Sequence, residues 1–426
     1  MPVYLICYAA SMLFARISLY ALSGAVLIFA AAVLFFTDMR GAGLPLRLRA
    51  LFSLSFVGGQ GLSCLKLSAL QTAWEPMTWA ALFLAYTVFW LAFEVSRKNR
   101  GAAPSGTFVG QTSVIRTDRL FLVIAGITVL SWVAFLTEVF LLGYVPLFLR
   151  GVPHAYSYFH ISGVHYFTVS AVLVPSFAVA WMETERRLRS GKLLAVLFCV
   201  FSAVLLPILC VSRFQLILAA LTAGFTLLVM ERGQFPARIG GAAAAGVLLL
   251  YVLLTVARSH SVSYLNDIFE MKYPLPIFIS QPYIYIANNY DNLNCLIREL
   301  PAHTFGLRIL YPLWGLTGLK FFFPALASFP LYVTKQELTT VTLFYDAWYD
   351  FGVLGVVGFS ALLGGLAFFL EDRLRAQHHP LFCVFYAQVA VYLALAFFTT
   401  WFSNPATWFY FAETLAAALF VGTSRR

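Results

Sequence analysis

Apolar residues run along this chain in blocks of about twenty, and polar residues gather in short segments between them. A block of that length crosses the hydrocarbon core of a bilayer as a helix. The pattern predicts spans near 17–37, 50–66, 77–94, 120–142, 164–182, 193–211, 214–230, 239–257, 346–370, 381–400 and 405–422. That is about eleven transmembrane helices, and residues 1–15, short for a span, would make about twelve. The expected fold is an all-α, polytopic membrane protein forming a single integral membrane domain over 1–426. Two stretches fall outside the spans. The smaller is "GYVPLFLRGVPHAYSYFHISGVHYF", Gly143 to Phe167. The larger runs over 258–344 and is too apolar and aromatic for a disordered linker. Its segments "PLPIFISQPYIYIANNYDNL" and "LRILYPLWGLTGLKFFFPAL" read as short helices lying on or dipping into the membrane face, with Pro274, Pro276 and Pro282 interrupting regular structure.

Charge fixes a sidedness. The segments around Arg40–Arg49, Arg97–Arg119, Arg186–Lys192, Arg232–Arg238 and Arg373–Arg375, with the terminal Arg425 and Arg426, hold most of the 28 Lys and Arg. They occur at every second crossing, which places them in the cytoplasm by the positive-inside rule. The loops 143–167 and 258–344 then face outward, with short turns at 67–76 and 401–404. The net charge of +10 is therefore mostly a topology signal, and no nucleic-acid partner is expected. Composition agrees: 61% hydrophobic, 11% charged and a mean hydropathy of +0.84 exclude an ordinary soluble domain. No cleavable signal peptide is evident, and residues 1–36 read as an uncleaved anchor broken only by Arg16. Cys7, Cys64, Cys199, Cys210, Cys295 and Cys383 form no CxxC pair, so neither a disulfide framework nor a zinc site is indicated.

Against this background Arg213 stands out as the single formal charge between Leu193 and Met230. The span count puts it at the outer turn between two helices. A lipid-facing arginine is costly at that depth, so the alternatives are a lipid-phosphate contact and an anion site within the bundle. Arg258 closes the next span at the same level, and Arg150 and Arg308 lie in the two outer loops. Guanidinium groups grip phosphate bidentately and stay charged when partly desolvated. Aromatics with hydrogen-bonding neighbours supply sugar-packing surfaces in "HAYSYFH", "NNYDN" and "FYDAWYDFG". Arginine, aromatic and amide groups together suit a sugar carried on a lipid pyrophosphate.

With those residues in view, the chain resembles the bacterial oligosaccharide repeat-unit polymerases, the Wzy or O-antigen polymerase family. The similar features are "GYVPLFLRG" after a helix, "SRFQLILA" opening one, "NNYDNL" in the larger loop and "TVTLFYDAWYDFGVLGVVGFSALLGG" leading into a late helix. The resemblance implies a glycosyltransferase C-like fold in the bacterial inner membrane, with its active site facing the periplasm. It implies an undecaprenyl-pyrophosphate-linked oligosaccharide as substrate, joined into a surface polysaccharide without a cofactor. A chain-length-regulating co-polymerase, a flippase and membrane lipid are the implied partners. Arg213 matches the family's arginine of the "SR" position, and Arg258 matches by its place at a helix end.

The chemistry places demands on side chains. An acceptor hydroxyl attacks the anomeric carbon of the donor, and lipid pyrophosphate leaves. Arg213 and Arg258 would neutralise the leaving group without a metal. A general base takes the hydroxyl proton, and Asp291, His154, His160, Asp346 and Asp350 are the candidates, with Asp291 preferred for its place in "YDN". Arg150, His154, Tyr156, His160, Asn289, Tyr290, Asn292, Arg308, Asp346, Trp348 and Asp350 are the candidate substrate contacts. His154, His160 and His165 are spaced for no common helix face, and no metal site is expected. Glu138 and Glu413 sit within apolar spans, where a structural partner such as Lys66 or Arg213, or a proton path, would account for them. Two other functions remain open. An O-antigen ligase of related fold would need His260 or His303, and a transporter or flippase of lipid-linked sugar would show inverted repeats, none of which is visible.

Overall fold

A computed structural model describes residues 1–40, 44–100, 115–149, 155–185, 190–231, 262–376 and 379–422, with 155–156 and 262–263 described by backbone alone. Among them every regular element is helical, and one isolated antiparallel bridge joins Ser68 to Met271. The helices are α1 (Pro2–Arg16), α2 (Tyr20–Met39), α3 (Leu48–Phe52), α4 (Gly58–Cys64), α5 (Pro76–Asn99), α6 (Thr117–Leu142), α7 (Ala155–Tyr158), α8 (Val164–Val169), α9 (Val174–Thr184), α10 (Ser190–Leu209) and α11 (Arg213–Met230). After them come α12 (Val262–Phe269), α13 (Ile277–Glu299), α14 (Tyr311–Leu316), α15 (Leu319–Phe322), α16 (Tyr345–Ala376), α17 (Pro380–Ala394) and α18 (Pro405–Val421).

Seven segments are long and apolar enough to cross a membrane: Tyr20–Met39, Pro76–Asn99, Thr117–Leu142, Val164–Thr184, Ser190–Leu209, Arg213–Met230 and Tyr345–Ala376. Each coincides with an expected span. The expected spans at 381–400 and 405–422 are shorter apolar helices, as is α1. The expected span at 50–66 is one rod in three parts, with a π-helical stretch, Ser53–Val57, joining α3 to α4. The span expected at 239–257 lies outside the described residues.

Lipid offers no hydrophobic drive for helix association, so close packing has to supply it. The contact of α5 with α16 shows how. A Cβ on Gly364 would stand 2.2 Å from the Phe89 carbonyl oxygen, so only glycine lets these backbones meet. An aromatic seam fills the centre. Tyr8 packs edge-on to Trp79, Phe52 lies 4.3 Å from Phe89, and Phe56 lies 5.0 Å from Phe344. Hydroxyls bridge the helices where the seam ends: Tyr8 donates to the Trp79 carbonyl and Tyr386 to that of Leu46.

One end of the bundle gathers the charges of the basic segments. Arg49 holds Asp38 at 2.6 Å and also Glu94, Arg100 pairs with Asp372, and Glu371 accepts the backbone N–H of Leu48 at 2.9 Å. The C-terminal ends of α2, α5 and α16 and the start of α3 therefore meet there.

At the opposite end the larger loop differs from expectation. "PLPIFISQPYIYIANNYDNL" is the better part of one 23-residue helix, α13, buried against α4, α5 and α16. Pro276 caps it, but Pro282 sits inside it, in the second turn, where only one backbone hydrogen bond is forgone. The helix forms there because its polar side chains find partners in the bundle.

Candidate functional site

A polar cluster is built on the first turns of α16. Asp346 and Asp350 stand four residues apart on one face, as helix geometry requires. Asp350 accepts the backbone N–H of Ile309 at 2.7 Å, that of Arg308 at 3.2 Å and the Thr304 hydroxyl. Those bonds fold residues 304–309 onto the helix. Arg308 is thereby delivered to Asp346, its Nε 2.5 Å from Oδ1. Its guanidinium lies 4.5 Å from the centroid of Tyr349 and 5.6 Å from those of Tyr345 and Phe329. Stacking and the Nε bond fix the plane of the group. Among the described residues, Nη1 and Nη2 of Arg308 and Oδ2 of Asp346 make no hydrogen bond, and the Arg308 side chain keeps 13% of its surface exposed. His303 joins the group with Nδ1 3.2 Å from the Tyr349 carbonyl oxygen. Just beyond, Gly352 breaks the helix at φ +56°, where a Cβ would press on His303 Nε2. Trp348 is buried in the same turn. Expected contacts Arg308, Asp346 and Asp350 are thus one cluster, although Asp350 is spent on folding the loop.

The "NNYDN" motif has a different role from the one its sequence suggested. Asp291 is 1% exposed and accepts from Lys66 Nζ at 2.5 Å, and from Ser63, Gln71 and Trp74, each at 2.9 Å. Four donors saturate both oxygens, leaving none for a substrate hydroxyl in this conformation. Asn289 donates to the carbonyls of Tyr285 and Phe397 and accepts from Thr340. Asn292 donates to those of Leu338 and Thr340 and accepts from the Thr334 N–H. Tyr290 is wholly buried, its hydroxyl on the Phe56 carbonyl. Asn289 and Asn292 staple the extended segment before α16 to the bundle and Tyr290 ties α13 to the π-helical stretch, so none of the three offers a surface to a sugar.

Arg213 opens α11 after a tight turn in which Val211 takes φ +54°, as the span count predicted, and is 9% exposed. Phe214 beside it stacks on Phe398 and Trp401, tying this helix start to the turn after α17. Glu138 is held by His165 Nδ1 at 2.9 Å, the Thr168 hydroxyl at 2.7 Å and the Ile161 N–H at 2.9 Å. Lys66, suggested as its partner, is instead committed to Asp291. His160 is exposed, its ring 6.3 Å from that of His165. Glu413 is half-buried on α18, and its Oε2 has no hydrogen-bond partner among the described residues. Arg150, His154 and Arg258 lie outside the described residues, and Tyr156 is described only as backbone in α7. No group of three or more His, Cys, Asp and Glu among the described residues could hold a metal ion.

Sequence reasoning missed the partners, Lys66 with Asp291 and the aromatic box around Arg308. The polar residues Ser63, Lys66 and Gln71 in an apolar setting were the available signal for the first. Comparison with known protein families, curated proteins and solved structures finds no match.

Proposed function

We propose that the chain is a glycosyltransferase that polymerises undecaprenyl-pyrophosphate-linked oligosaccharide repeat units into a surface polysaccharide, acting on the periplasmic side of the bacterial inner membrane. The observation that carries the reading is Arg308. Its guanidinium is oriented by Asp346 and three aromatic rings, yet its terminal nitrogens are unspent. That posture suits a planar, bidentate grip on pyrophosphate. The strongly exposed Phe305 and Phe322 of the same loop offer an apolar flank for the polyprenyl tail.

In this reading the acceptor hydroxyl attacks the anomeric carbon, and the bond to pyrophosphate breaks with its electron pair on the leaving group. Arg308 stabilises the charge that develops there. Asp346 Oδ2 takes the hydroxyl proton, replacing Asp291, whose carboxylate is already saturated. The test is donor binding and product formation by Arg308→Lys. Donor capture retained with most product lost supports the reading, since a point charge does not replace the fork. Normal polymer from Arg308→Ala would remove it.

A ligase of related fold is the second reading, favoured by His303 standing beside the Arg308 cluster. His303→Ala would abolish transfer in a ligase and leave chain growth largely intact in a polymerase.

A further inference from the structure

A cavity of mixed polar and apolar lining lies where α1 turns into α2, and none of its lining residues belongs to the Arg308 cluster. It has a volume of about 220 Å³, is partly open to the surroundings and is lined by Arg16, Ser18, Tyr20, Lys66, Trp74 and Trp79, with small residues between them. We infer that this cavity binds a single phosphate group, carried by the headgroup of an anionic lipid.

Two sources of positive potential converge there, the Arg16 guanidinium and the start of α2, beside the Lys66–Asp291 pair. Arg16 is exposed at the mouth of the cavity and makes no ion pair among the described residues. Lys66 presents its ammonium between Asp291 and the face of Trp74, 4.6 Å from the ring centroid. Tyr20 begins a 20-residue helix that no side chain caps, so its first amide N–H groups lack intrahelical partners. Asp291 offsets the charge of Lys66, and Glu75 is exposed nearby without lining the cavity, so Arg16 supplies the uncompensated charge. The backbone is bent to make the space: Ser18 and Lys66 take φ of +60° and +50°, a region non-glycine residues seldom enter.

The surroundings favour a lipid as the source of that phosphate. Leu13, Ile17 and Leu19 at the same turn are strongly exposed and would lie along acyl chains. Trp74, Trp79 and Tyr20 are the aromatic types that sit at headgroup level. The volume exceeds that of a bare phosphate and leaves room for a small polar substituent such as glycerol. The inference is independent of the polymerase reading.

The test is native mass spectrometry of the full-length protein released from nanodiscs of mixed phosphatidylglycerol and phosphatidylcholine. The wild type should retain one phosphatidylglycerol and discriminate against phosphatidylcholine. Arg16→Gln should weaken retention about tenfold, as loss of a charge-assisted contact does. Ala73→Glu, which places an anion on the exposed wall of the cavity, should weaken it similarly. Arg298→Gln, at an exposed pair with Glu299, should leave it unchanged. Inorganic phosphate that binds with the same Arg16 dependence, with no lipid retained, would keep the phosphate site and replace its source. Equal retention by wild type, Arg16→Gln and Ala73→Glu, or of both lipids, would overturn the inference.

Discussion

Replacing Asp291 with asparagine separates two roles that the sequence alone leaves indistinguishable. In the structure its carboxylate is the centre of a buried cage, with Lys66 at 2.5 Å and Ser63, Gln71 and Trp74 at 2.9 Å. The Lys66 side chain is 5% exposed, so the ammonium has little water to fall back on. Asparagine keeps one acceptor oxygen, turns the other into a donor facing donors and leaves the ammonium unpaired. Breaking a buried pair in this way costs about 3–5 kcal/mol. The expected result is a marked fall in the apparent melting temperature in detergent, read by size-exclusion chromatography after heating. The double variant Lys66→Met with Asp291→Asn should recover at least half of that loss, because the uncompensated charge is gone. A purified Asp291→Asn protein as stable as wild type, yet at least a hundredfold slower in sugar transfer, would refute the reasoning and restore Asp291 as a general base.

Asp346→Asn should lower the transfer rate by roughly 10²–10⁴-fold while donor still binds, since the amide can still accept from Arg308 but cannot take a proton. Gly364→Val should lower stability by about 1–3 kcal/mol, measured as melting temperature, because the side chain would meet the Phe89 carbonyl. Arg49→Ala should destabilise by about 3 kcal/mol, read as melting temperature, because it leaves Asp38 without its ion-pair partner at 13% exposure while Arg97 still holds Glu94.

The helices were legible wherever a segment had to be apolar over its whole length. The spans at 20–39, 117–142 and 190–209 could be read to within a few residues because lipid requires that pattern. Helix α13 was expected as a short helix at the membrane face, and its 23-residue length and burial were not legible, because it is stabilised by tertiary hydrogen bonds that no local pattern announces. Asn289, Asn292 and Asp291 look like a polar loop in sequence and are buried, fully bonded helix residues in space. For the same reason, motif reasoning placed sugar-binding groups on a structural staple. Arg308, Asp346 and Asp350 fared better. The spacing of four between Asp346 and Asp350 on α16 survives folding, and the unpredictable part was the bend that brings residues 304–309, Arg308 among them, back to that face.

The central claim concerns covalent joining of lipid-linked repeat units, and one reconstitution addresses it. Purified protein in proteoliposomes is given a labelled undecaprenyl-pyrophosphate oligosaccharide, and products are separated by size. A ladder of regularly spaced products, absent with Arg308→Ala, is the predicted result. Label that crosses the membrane while remaining a single repeat unit would contradict the account and make the protein a translocator.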